Sequence, residues 1–164
     1  MLVPGFSGLR CGRLRLVKSL YIHVPFCLST CPYCSFGSVA GHEHLYQRYA
    51  AAIVEEIRLQ RALLADAPSE LSTLFFGGGS PSVLPPDLLA LILEQCRASY
   101  TIHPEAEISI EINPKTGSND LLKRLCEAGF NRFSCGVQSF SHQDLDRLGR
   151  LHGVADSIEL IRQA

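Results

Sequence analysis

Three cysteines fall close together in the run Cys27-Leu28-Ser29-Thr30-Cys31-Pro32-Tyr33-Cys34. Three thiolates hold three irons of a cubane 4Fe–4S cluster and leave the fourth iron open to a ligand that is not protein. Tyr33, just before the last thiol, is placed to pack on such a group and keep water off it. Two other chemistries share part of this pattern. Zinc requires a fourth ligand, which His23, His42 or His44 would supply. A redox pair asks only for the CxxC spacing that Cys31 and Cys34 have. The spacing alone leaves these alternatives open.

Several other residue types are suited to holding a ligand. Gly77, Gly78 and Gly79, followed by Ser80, let a backbone approach a ligand closely and offer its N–H and C=O groups, or else make a tight turn. Their spacing is neither the Walker A nor the dinucleotide fingerprint. Glu111 can accept from a ribose hydroxyl or an ammonium group, or close a salt bridge. Gln138 can read a neutral polar group or satisfy strand-end amides. Arg150 can grip a carboxylate in bidentate fashion or lie solvated at the surface. His23 and His152 read as structural.

The elements that must position these residues can be read from periodicity. Leu20 to Pro25 is a short apolar run typical of a strand, and the cysteines follow it. Gly37 to Gly41 reads as a flexible exit. Leu45, Tyr49, Ile53 and Ile57 recur every four residues, so a helix is expected as far as about Ala65. Residues 71–76 read as a buried strand ending in the triple glycine. Pro85-Pro86-Asp87 opens a helix with Leu88, Leu91, Ile92 and Cys96 on its inner side. A third strand over residues 106–112 ends at Glu111 and Asn113. Ser118 is an expected N-cap for a helix through Leu121, Leu122, Leu125 and Cys126, stopped by Gly129. Residues 132–137 form a fourth strand ending at Gln138. Ser141 and Asp144 have capping-box spacing for a helix with Leu145 and Leu148. Val154, Ile158 and Ile161 mark a last helix.

Strand and helix thus alternate four times. This predicts an α/β fold of about four parallel βα units, a partial (βα) barrel. In such folds the chemistry sits at the C-terminal ends of the strands. The cysteine loop, the glycines, Glu111 and Gln138 all fall there.

Composition limits what the rest of the chain can do. Its 164 residues suffice for one domain, and 46% hydrophobic with 19% charged residues is ordinary for a globular protein. A net charge of −1 gives no field that would favour nucleic acid or a membrane surface. No run reaches the roughly 18 apolar residues of a membrane span. Seven cysteines, an odd count, do not make a secreted disulfide framework and point to a reducing, cytoplasmic setting. Arg10, Arg13, Arg15 and Lys18 make residues 1–18 a basic leader or a ragged start, with mitochondrial targeting as the alternative, ahead of a domain over 19–164.

Taken together, Tyr21-Ile22-His23-Val24-Pro25-Phe26-Cys27, the CxxxCxxC spacing, GGGSPS, EINP, GVQSF and LGRLH resemble the radical S-adenosylmethionine superfamily. More narrowly, they resemble the branch that holds oxygen-independent coproporphyrinogen III oxidase and the haem chaperones. The resemblance runs in register from about Leu20 to the C-terminus. It implies a 4Fe–4S cluster on Cys27, Cys31 and Cys34. It also implies S-adenosylmethionine contacts at Tyr21, Tyr33, Gly78, Gly79, Ser80, Glu111, Gln138 and Arg150. In this superfamily the cluster passes one electron to the sulfonium, releasing methionine and a 5′-deoxyadenosyl radical.

The resemblance further implies haem or a porphyrinogen as the molecule handled, with haem as a candidate third cofactor. An electron donor of the flavodoxin or ferredoxin type is implied as well. Oxidases of this branch usually carry a further cysteine two positions after the third cluster ligand, and Phe36 stands there in this chain. That substitution favours the chaperone over the oxidase. More barrel strands, another acid that contacts the cofactor and a region that meets the porphyrin are implied beyond Ala164. A four-stranded sheet alone is therefore expected to be marginally stable, or to be completed by a partner chain or by further sequence.

Overall fold

The computed structural model describes residues 19–64 and 69–164. The basic segment 1–18, and with it the expected leader and domain boundary, lies outside the described residues, as does the expected helix end at Ala65.

Four strands form one parallel sheet in the order β1 (Ser19–Val24), β4 (Glu70–Gly78), β5 (Thr101–Ile112), β6 (Arg132–Cys135). Helices α1 (Tyr46–Leu63), α2 (Pro86–Ser99) and α3 (Asn119–Ala128) make the crossovers that parallel neighbours require. Two short helices, α4 (His142–Arg147) and α5 (Val154–Gln163), follow β6. This is the α/β fold of four parallel units that the alternation predicts.

The sheet presents two different faces because side chains alternate along each strand. One face packs on the helices. Ile22, Val24, Leu74, Phe76, Ile108, Ile110 and Ile112 are buried there against Ala50, Ile57, Leu89, Ile92, Leu93, Leu122 and Leu125. Burying a Leu, Ile or Phe contributes about 1.5–3 kcal/mol. Surface ion pairs such as Arg97–Glu94 at 2.7 Å contribute about 0–1 kcal/mol. The helix-facing layer therefore holds the fold. The other face carries Tyr21 stacked near Phe75, and a line in which Ser109 donates to Glu107 and accepts from Arg132.

Several sequence expectations are corrected. The supposed flexible exit contains β3 (Val39–Ala40), which pairs in parallel with β2 (Phe26–Cys27) and is locked by Val39 N–H donating to the Pro25 carbonyl at 2.7 Å. β4 runs through Gly77 and Gly78, so the glycines end the strand from within it. β5 begins earlier, at Thr101, and its register shifts against β4 between Leu71 and Thr73. β6 stops at Cys135, because Val137 and Ser139 bond back to Cys135 and Val137 within a tight turn.

On α2, Leu91 is exposed while Leu89 and Leu93 are fully buried, since the helix rotates the Leu89–Leu93 stripe inward. Cys126 is exposed on α3, and Ile158 and Ile161 are exposed on α5, where Ser157 and Leu160 face inward instead. The Ser141 cap of α4 is one-sided. Asp144 N–H donates to the Ser141 hydroxyl at 3.4 Å, but the Asp144 carboxylate takes the Ser139 hydroxyl rather than returning to Ser141.

Candidate metal centre

The C-terminal ends of β1, β4, β5 and β6 open onto a cleft of about 290 Å³. Cys27, Cys31, Tyr33, Cys34, Gly78, Gly79, Ser80, Glu111, Gln138 and Arg150 all line it. Tyr21 does not line it. It lies one step down the same face of the sheet, 54% exposed, with its ring and the Glu111 carboxylate both beside Gly77.

The cysteine loop is closed at its base. The Phe26 carbonyl accepts from Ser80 N–H at 2.7 Å, and the Val24 carbonyl accepts from Gly79 N–H at 2.8 Å. The ring of His23 completes the closure. Its Nε2 lies 3.1 Å from the Gly37 carbonyl, which can only accept, so the proton sits on Nε2 and Nδ1 accepts from the Tyr21 hydroxyl at 3.2 Å. Gly79 is needed for this closure. A Cβ there would stand 2.6 Å from the Phe26 carbonyl oxygen and 2.9 Å from Cys27 Sγ.

All three loop thiols are free, with Cys27 and Cys31 partly covered and Cys34 exposed. Burial pushes the Cys27 thiol up from its ordinary value, with the Ser38 hydroxyl working the other way and Cys34 and Cys31 pushing upward again. All three thiols line the one cleft. Among the described residues no three His, Cys, Asp or Glu side chains gather closely enough to hold a single metal ion, and His23, His42 and His44 do not line the cleft. None of these histidines thus stands as the fourth ligand that the zinc alternative asked of them. Three thiols around an open side suit a cluster with one iron left for another ligand.

Two long-range contacts bring the segment after α4 onto this loop. Arg150 Nη1 donates to Cys31 Sγ at 3.4 Å, and Nη2 donates to the Gly136 carbonyl at 3.1 Å. The Nε atom of Arg150 is buried without a partner among the described residues. His152, 3% exposed, donates from Nε2 to the Val137 carbonyl at 3.0 Å, and burial lowers its pKa. Arg150 and His152 thus grip consecutive carbonyls of the β6 loop. Directly after these carbonyls the chain turns through Gln138 at φ 65°, a left-handed conformation that is uncommon for a residue other than glycine.

Opposite the thiols, the Gly78 N–H donates to Glu111 Oε2 at 3.2 Å. Burial raises the Glu111 pKa, against the Gly78 N–H and the nearby His23 ring. Asn113 Nδ2 donates to the Ser80 hydroxyl at 3.4 Å, and Asn113 N–H donates to the Ser82 hydroxyl at 2.9 Å. These bonds fix the β4 loop to the end of β5. Sequence reasoning missed Ser134 and Cys135 as lining residues. Their place in the expected strand over residues 132–137 was the available signal, and the register then sets Ser134 beside Glu111 and Cys135 beside Ile112.

The arrangement offers soft ligands on one side, backbone N–H and carboxylate groups on another, and a guanidinium between them. Residues 21–164 match the family model described as "Radical SAM superfamily". The chain is 40% identical over 136 residues to the protein named heme chaperone HemW of Escherichia coli, covering 82% of this chain and 35% of that protein. It is 34% identical over 146 residues to radical S-adenosyl methionine domain-containing protein 1, mitochondrial, of Danio rerio, covering 89% of this chain and 32% of that protein. Among solved structures it is similar to coproporphyrinogen III oxidase (HemN) of Escherichia coli. The TM-score there is 0.81 at 31% identity, over 89% of this chain and 33% of that one. The chain spans about a third of the length of these relatives.

Proposed function

The chain belongs to the radical SAM superfamily, and from that premise we propose that it handles haem, as a chaperone that binds and delivers it. The family implies a 4Fe–4S cluster and S-adenosylmethionine. Cys27, Cys31 and Cys34 would hold the cluster. Gly78, Gly79 and Ser80, together with Glu111, Gln138 and Arg150, would hold S-adenosylmethionine, with Tyr33 over the mouth and Tyr21 below. When bound, the cluster supplies one electron to the cofactor's sulfonium.

The chain's own residues bind, orient and exclude water. The glycine-ended β4 admits the cofactor close to backbone donors, and the Glu111 carboxylate is an acceptor for its hydroxyl or ammonium groups. Tyr33, at 49% exposed, and Phe36, at 70% exposed, stand at the cleft with apolar surface that a flat tetrapyrrole would cover.

The observation that carries the chaperone reading is Phe36. The resemblance implies that oxidases of this branch usually carry a cysteine there, and the relatives named as heme chaperones match over more than four fifths of this chain. The similarity to coproporphyrinogen III oxidase favours a second reading, a porphyrinogen oxidase. Among the described residues no helix is long and apolar enough to cross a membrane. Free thiols at the site call for a reducing compartment, and we place the protein in the cytoplasm or, as the name of the Danio rerio relative suggests, the mitochondrion. An electron donor of the flavodoxin or ferredoxin type, and a partner chain or further sequence covering the open edge of the sheet, complete the proposal.

The test is anaerobic reconstitution with iron and sulfide, then EPR of the reduced protein with and without S-adenosylmethionine, then titration with haem. A cluster signal that shifts with the cofactor, and one haem taken up per chain without tetrapyrrole turnover, are expected. Formation of 5′-deoxyadenosine together with a decarboxylated tetrapyrrole would replace the chaperone reading with the oxidase.

A further inference from the structure

Arg150 is joined to the cysteine loop by a contact that a cofactor-binding role does not require. Its Nη1 donates to Cys31 Sγ although 119 positions separate the two residues. The surroundings fix its place. Nη2 is tied to the Gly136 carbonyl at the end of β6. Tyr33 lines the same cleft as Cys31 and Arg150. Gly149 lies so close to the loop that a Cβ on it would stand 2.8 Å from Pro32 Cδ. The side chain is thus positioned from the cysteine loop, from the β6 loop and from its own backbone.

We propose that Arg150 sets the reduction potential of the cluster, by donating a charge-assisted hydrogen bond to the sulfur of its Cys31 ligand. The inference rests on the cluster reading of Cys27, Cys31 and Cys34. Reduction adds one electron and no proton, so the negative charge on the cluster and its thiolate ligands rises by one. A guanidinium never deprotonates in proteins, so its positive charge and its N–H stabilise the reduced form more than the oxidised form. Hydrogen bonds to the sulfurs and net charge are two of the terms that set such potentials. Arg150 therefore raises the potential and makes the cluster easier to reduce. The partly buried setting strengthens the effect, because local screening by water is reduced. The role is one of positioning and tuning, exerted through a ligand atom.

The experiment is a mediated redox titration of the reconstituted protein, with dithionite as reductant and EPR as readout, on the parent and on Arg150→Met, Arg150→Lys and His152→Gln. Arg150→Met is expected to move the midpoint negative by at least a tenfold change in the reduced-to-oxidised ratio, which is about 59 mV for a one-electron couple. Arg150→Lys keeps the charge without the fork and is expected to fall between Met and the parent. His152→Gln keeps an N–H donor for the Val137 carbonyl, touches no thiol and is expected to leave the midpoint in place. A midpoint in Arg150→Met equal to that of the parent, at full iron and sulfide content, overturns the proposal. So does an equal shift in His152→Gln, which would assign the effect to the loop.

Should the Met variant fail to take up a cluster, pulsed EPR of the reduced parent grown on isotope-labelled arginine decides instead. A nitrogen coupling from arginine is expected, and its absence overturns the proposal. If the parent itself binds no cluster, the reading of the three thiols fails first and takes this inference with it.

Discussion

Glu111 Oε2 accepts the N–H of Gly78 across the ends of two neighbouring strands, at 3.2 Å. One carboxylate thereby orders the glycine turn and faces the cleft with its remaining lone pairs. Its neighbours leave little room, since a Cβ on Gly77 would stand 3.2 Å from the same oxygen.

Burial raises the Glu111 pKa in the folded state. The native protein then binds more protons than the unfolded chain between the ordinary carboxylate value, about 4.3, and the raised one. Stability contributed by this group is accordingly greatest below the ordinary value and is lost as pH rises through the folded value. Glu111→Gln keeps an acceptor for Gly78 and removes the charge. It is expected to flatten this pH dependence and to raise unliganded stability near neutrality by less than about 1 kcal/mol, because the group is only partly buried and water screens it. Its affinity for S-adenosylmethionine is expected to fall by roughly tenfold or more, the worth of a hydrogen bond to a charged group. Thermal melts across pH and calorimetric titration read the two effects separately.

Gly79→Ala forces a Cβ against the Phe26 carbonyl and Cys27 Sγ, at 2.6 and 2.9 Å. One of these neighbours is backbone inside the β2–β3 pair, so the loop must move. A loss of about 1–3 kcal/mol is expected, the usual cost of overpacking, together with reduced iron and sulfide per chain after reconstitution. Unchanged cluster loading would show that the base of the loop yields more easily than its hydrogen bonds suggest.

Thiol chemistry separates the site from the core. Cys34 and Cys126 are exposed and are expected to alkylate first, with the partly covered Cys27 and Cys31 slower. Cys96 is fully buried and its thiol is pushed up to about 12 by burial, so it should react only on unfolding. Its stabilising contribution is present below the ordinary thiol value, about 8.5, and is lost as pH rises through the raised one. Loading the cluster should protect Cys27, Cys31 and Cys34 together and leave Cys126 reactive, while removing the iron with a chelator should restore all three. Mass spectrometry of quenched alkylation follows each position.

The Tyr49 hydroxyl on α1 donates to the His23 carbonyl on the edge strand β1 at 2.5 Å. Burial pushes this phenol well above its usual range. Tyr49→Phe preserves the edge-on contact with Phe26 and removes only the hydroxyl. A loss of about 0.5–1.5 kcal/mol in denaturant unfolding is expected, the net worth of one such bond. Faster backbone hydrogen exchange at the end of β1 should accompany it.

The amino-acid sequence alone determined the parts of this protein whose physics is local. The thiols at positions 27, 31 and 34 lie within one loop, so their spacing alone points to a metal or cluster. Alternating apolar runs and four-residue periods place the strands and helices, because burial on one face demands them whatever the rest of the chain does. Strand order in a parallel sheet then puts Gly78, Glu111 and Gln138 at one end.

Tertiary structure decided what depends on partners distant in sequence. The pairing of Phe26–Cys27 with Val39–Ala40 turns a glycine-flanked exit into a closed loop, and no local propensity announces a two-residue strand. Helix rotation sends Leu91, Ile158 and Ile161 outward, because which stripe faces the sheet depends on the packing of neighbours and not on the period. Tyr21 falls outside the cleft because it stands three residues before the end of β1, below the rim on the same face. Most of all, the left-handed Gln138, the grip of His152 on Val137 and the reach of Arg150 to Cys31 exist only once α4 has folded back over the β6 loop. A hydrogen bond over 119 positions leaves no trace in spacing, since its geometry is set by every element folded between its ends.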